Sequence, residues 1–139
     1  MTQEALKRIK EKQYQLFPLE KQVFPLRRLT VSEYHRMSEN GIIKDDERVE
    51  LINGVITKMS PKGTKHATSV SKLTNLLPQL LEGKGWIRIQ DPVVMDDLTE
   101  PEPDIAVVQV RDDAYSTEHP HPDDVLLLIE VADTSLERD

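Results

Sequence analysis

The stretch that most constrains this chain is DVLLLIEVA, residues 124–132. Its Val, Leu and Ile residues form a short, almost continuous apolar run. A strand apolar on both sides needs cover on both sides, which predicts a central strand of an α/β sheet. Glu130 stands within this run. A carboxylate in such a place is costly unless it is paired, hydrogen-bonded or bound to a metal.

Two further stretches supply partner strands. Residues 104–110, DIAVVQV, read as one strand, with Asp104 at its entry after Glu100-Pro101-Glu102-Pro103. Residues 86–95, WIRIQDPVVM, read as another, interrupted near Asp91-Pro92. Residues 111–122 hold charges, two histidines and prolines, and read as an exposed loop.

Upstream lie helices and a hairpin. Thr30-Val31-Ser32-Glu33 is a capping box, and Val31, Tyr34 and Met37 make an apolar stripe that Asn40-Gly41 ends. Residues 47–59, ERVELINGVITKM, form a hairpin, because Asn53-Gly54 suits a type I′ turn. Val49, Leu51, Val55 and Thr57 are expected to share one face. A helix over 64–82 carries the stripe Val70, Leu73, Leu77, Leu80 and Leu81, and Pro78 predicts a kink or an early stop.

Charge divides the chain at about residue 30. Residues 1–29 hold seven basic and three acidic side chains, and residues 30–139 hold eleven basic and twenty-two acidic. The first part reads as a basic N-terminal extension with a weak amphipathic helix around Leu6 and Ile9. The acidic remainder argues against non-specific coating of nucleic acid, and is compatible with a hydrolase whose metal site uses carboxylates. There is no cysteine, which excludes disulfides and thiolate metal sites and fits a cytoplasmic protein. No apolar run approaches the roughly 20 residues that span a bilayer. No phosphate-binding glycine loop or nucleophile elbow is present, and the histidines lack zinc-ligand spacing.

Asp104 and Glu130, on neighbouring strands, would make a hard oxygen site suited to Mg²⁺ or Mn²⁺. Such an ion polarises a phosphodiester and activates water. Glu50 lies on the first hairpin strand, where it can pair with Arg48 or Lys58 or assist the metal. His66, near a helix start, reads as a surface or capping residue, or as a substrate contact.

The order ERVELINGVITKMSPKGTKH, EPEPDIAVV, DVLLLIEVADTSLERD resembles the Uma-type family of restriction endonucleases, within the PD-(D/E)XK superfamily. The resemblance runs from about Thr30 to Asp139. It implies an α/β, restriction-endonuclease-like core with a mixed central sheet flanked by helices, and DNA as partner. Pro103-Asp104 then matches the Pro-Asp element, Glu130-Val131-Ala132 the second carboxylate element, and Glu50 and His66 two further positions. It also implies a lysine on the next helix, whereas Lys84 is the last lysine here and position 132 is Ala.

Thr134-Ser135-Leu136-Glu137 begins another helix straight after the apolar strand. The expectation is therefore an incomplete domain over 30–139, its last helix and strand missing. Such a chain would be inactive as an endonuclease, or a remnant serving as an interaction module. An edge left uncovered would favour a homodimer.

Overall fold

The computed structural model describes residues 25–132, together with Glu4. The basic N-terminal helix and the capping box at 134–137 lie outside the described residues. The chain is α/β and divides into two compact units. The first takes in the described residues up to Met59 with Val94–Pro101, and the second takes in Ser60–Val93 and the residues from Glu102 onward. No helix among the described residues is long and apolar enough to cross a membrane.

In the first unit, α1 spans Val31–Glu39. Thr30 caps it as the sequence predicts. Its hydroxyl accepts from the Glu33 N–H at 3.1 Å, and the Glu33 carboxylate accepts from the Thr30 N–H at 3.1 Å. Strands β1 (Val49–Ile52) and β2 (Val55–Lys58) form an antiparallel hairpin. Asn53 and Gly54 both have positive φ, 55° and 76°, the geometry of a type I′ turn. Residues 94–101 add to the other side of β1, where Leu51 and Glu100 exchange backbone hydrogen bonds. Val31, Tyr34, Ile43, Val49 and Leu51 form the core of this unit.

The hairpin faces differ from the expectation. A two-residue turn pairs Ile52 with Val55 and Leu51 with Ile56. Directly opposed residues share a face. Ile56 therefore joins Leu51, while Val55 and Thr57 lie on the side of Glu50 and Ile52.

In the second unit, α2 spans Thr64–Leu81 and packs on an antiparallel sheet. That sheet runs β3 (Trp86–Ile89), β4 (Ile105–Val108), β5 (Val125–Ile129) in the order β3-β4-β5. Val70 and Leu77 of α2 meet Ile105 and Val107, flanked by Leu73, Leu81, Ile87, Ile129 and Val131. The helix passes through Pro78 without stopping, so the early stop is not found. Leu80 is 67% exposed and lies off the buried stripe.

The central strand is β4, buried at all four positions. Among the described residues β5 pairs with β4 alone, and Leu126 and Leu127 stay about half exposed. An apolar run marks a strand that wants cover on both faces, but it does not say which strand lies in the middle. All described pairings are antiparallel. The loop at 111–122 is not wholly exposed either. Tyr115 and Pro120 are buried, and Arg111 lies over the Tyr115 ring at 4.5 Å while pairing with Asp113 at 2.7 Å.

Two predictions follow from the first unit. A Cβ on Gly54 would sit 2.5 Å from the Arg28 Cβ, and the positive φ penalises any side chain. Gly54→Ala is expected to cost about 2 kcal/mol or more in urea unfolding, since left-handed backbone alone costs an L-residue about 1–2 kcal/mol. A loss below about 0.5 kcal/mol would contradict the turn geometry. Glu33 titrates at about 2 instead of 4.5, held down first by its hydrogen bond from Arg27 and then by the Thr30 N–H. A carboxylate held low stabilises the fold above its unfolded value, and that contribution is lost as pH falls through about 2. Wild type should thus exceed Glu33→Gln in thermal stability near neutral pH. The two should converge in strong acid, and a gap unchanged there would refute the assignment.

Candidate functional site

The site in the second unit begins with proline geometry. Pro101 and Pro103 cannot donate to a ladder and hold the chain extended until Asp104. The Gln90 N–H, at the end of β3, reaches the carbonyls of Pro103 and Asp104 at 3.1 Å each. These contacts fix the Asp104 backbone at the entry to β4. Its side chain is 1% exposed.

Three N–H donors converge on the Asp104 carboxylate. The Val131 backbone N–H donates to Oδ2 at 2.8 Å, just past the end of β5. His66 Nε2 lies 3.0 Å from the same oxygen. Lys62 Nζ donates to Oδ1 at 3.1 Å. An ionised Asp104 can only accept, so His66 Nε2 carries the proton. Among the described residues His66 Nδ1 is buried without a hydrogen-bond partner.

Burial pushes the Asp104 carboxyl upward. The Val131 N–H, then His66 and Lys62, outweigh that push and hold it below the ordinary aspartate range. The carboxylate is therefore a charged group in a buried place, kept so by its donors.

Glu130 stands at the end of β5 and is exposed. The β4–β5 register pairs Ile105 with Ile129. Asp104 directly precedes Ile105 and Glu130 directly follows Ile129, so both residues fall at the same end of the antiparallel β4–β5 pair. Glu50 lies on β1 in the first unit, half-buried and paired in register with Thr57.

His66 could have been placed from the sequence. It precedes Val70 by four residues and so extends the buried stripe one turn towards the helix start. Lys62 had no such signal. It sits in the loop before α2, and only the folded chain brings it to Asp104.

The first unit holds a second buried carboxylate. Glu100, 4% exposed, pairs with His35 Nε2 at 2.5 Å. Burial raises its carboxyl above the usual range, opposed by His35.

Residues 31–139 match the Uma2 family, described as "Putative restriction endonuclease", and the chain belongs to that family. No curated protein and no solved structure matches the chain.

Removing the Asp104 charge leaves buried donors with a poorer acceptor. Losing one partner of a buried ion pair typically costs about 3–5 kcal/mol. Asp104→Asn keeps the shape and one acceptor oxygen, so a loss of about 2–3 kcal/mol in urea unfolding is expected. A loss under about 0.5 kcal/mol would mean that the carboxylate does not anchor α2 and the β5 end.

Proposed function

We propose that the chain carries the carboxylate centre of a divalent-metal-dependent endonuclease acting on DNA in the cytoplasm. The observation that supports this reading is the Val131 N–H, one residue after Glu130, which donates to the Asp104 carboxylate at 2.8 Å. The family match supports the nuclease class. A restriction-endonuclease-like core is the fold we propose for residues 30–139, with residues 1–29 as a basic extension.

The donor set fits a hard cation. Asp104 and Glu130 offer only oxygen, which suits Mg²⁺ or Mn²⁺ over softer ions. Asp104 Oδ1 accepts a single N–H, from Lys62, so this oxygen retains a lone pair for an ion. A bound ion would supply Lewis-acid stabilisation of a phosphodiester oxygen and a more acidic water. His66 fixes the Asp104 carboxylate through Nε2, and Val131 ties the strand end to it. The role of His66 as a substrate contact and of Glu50 as a helper rests on the family resemblance. The site argued here uses residues of the second unit alone.

A second reading has one observation in its favour. Three donors already satisfy Asp104, as in a purely structural buried carboxylate. On that reading the chain is a catalytically inactive interaction module, with a homodimer as one arrangement that would cover β5. Ala132 also leaves no lysine two residues after Glu130, so we propose that turnover by this chain is slow or nil. Metal binding is therefore the more direct readout.

Calorimetry with Mn²⁺ should detect weak binding by the whole chain. Glu130→Ala, an exposed substitution, and Asp104→Ala should each weaken it on the order of tenfold or more, as one lost ligand does. Unchanged Mn²⁺ affinity in Glu130→Ala would favour the structural reading. Plasmid nicking with Mg²⁺ or Mn²⁺ that persists in Glu130→Ala would refute the residue assignment.

A further inference from the structure

We propose that Lys62 is the resident cation of Asp104 and that a divalent ion binds this chain only by displacing it. The inference rests on the metal reading above and adds a competitor that the sequence did not reveal.

The geometry divides the Asp104 carboxylate into two halves. Oδ2 is committed to the fold, taking the Val131 N–H and His66 Nε2. His66 lies on α2 with its side chain 4% exposed, and the Val131 N–H is a backbone donor directly after β5. Oδ1 takes only Lys62. An ion that ligates Asp104 without dismantling the strand end must therefore use Oδ1. There it meets an ammonium 3.1 Å from the same oxygen.

Two cations on one carboxylate oxygen repel, and one must leave. Lys62 is suited to leave. Its side chain is 31% exposed, against 1% for Asp104. It precedes Gly63, the N-cap of α2, where a Cβ would meet nothing within 4 Å. A four-carbon stem in open surroundings lets the ammonium swing into water, where it is strongly hydrated. His66 and the Val131 amide have no such freedom.

The exchange makes metal affinity depend on a residue that is not a ligand. Lys62→Met keeps the stem and removes the charge. It should tighten Mn²⁺ binding by up to about fivefold, the scale of one partly exposed ion pair removed from the competition. Lys62→Arg retains the charge and should bind as weakly as wild type. Lys65→Met removes a nearby exposed lysine on α2 and should change affinity by less than about twofold, which separates a local contact from the general field.

The test is Mn²⁺ calorimetry on the full chain for wild type, Lys62→Met, Lys62→Arg, Lys65→Met and Glu130→Gln. Melting temperature with and without Mn²⁺ is recorded alongside. Lys62→Met should melt lower than wild type without metal, having lost an Asp104 partner. It should gain more on adding Mn²⁺, as tighter binding to the folded state requires. Equal affinity for wild type and Lys62→Met, with Glu130→Gln clearly weakened, would overturn the exchange and leave the metal reading standing. An unchanged affinity in Glu130→Gln would overturn the metal reading and the exchange with it. Equal tightening by Lys65→Met would also overturn the exchange, since it would assign the effect to net charge.

Discussion

The second unit depends on one buried carboxylate. Asp104 gathers the loop before α2, the first turn of α2 and the end of β5 through Lys62, His66 and the Val131 N–H. A charge placed so deep is unfavourable alone, and each donor offsets part of that cost. One oxygen takes the Val131 N–H and His66, and the other takes the partly exposed Lys62 ammonium.

This division bears on how a nuclease-family chain can carry acidic chemistry without collapsing when no ion is bound. A carboxylate that depended wholly on a metal would be unpaired in its absence. Here Lys62 pairs with Asp104, and Glu130 is exposed directly after β5, which among the described residues pairs with β4 alone. Family membership gives the nuclease class.

Much of the fold was legible because its signals are local. The Thr30 capping box, the Asn53-Gly54 turn, most of the stripe of α2 and the strands at 104–110 and 124–132 are each set by residues close in sequence, whereas the strand expected over 86–95 ends at Ile89 and Val94 onward joins the first unit. The failures come from contacts that cross the chain. The face of Val55 was misassigned because the turn, not the hydrophobic count, sets the register. Val125–Ile129 was expected in the centre of the sheet, but sequence cannot order strands, and β4 occupies that place. Asp104 and Glu130 are conspicuous in the sequence because each is a charge beside an apolar run. The His66 contact was within reach, since it continues the Val70 stripe. Lys62 was not, because a loop lysine acquires meaning only from the carboxylate that folding brings to it.

The central claim is that Asp104 and Glu130 together form a divalent-cation site at the β4–β5 end. Titration of the ¹⁵N-labelled chain with substoichiometric Mn²⁺ tests it most directly, because the paramagnetic ion broadens nearby amides first. The account predicts early loss of the Val131, Glu130 and Ile105 amide signals, and recovery of those signals when Glu130→Ala is titrated in the same way. Broadening that spares Val131 and Ile105, or that is unchanged in Glu130→Ala, would contradict it.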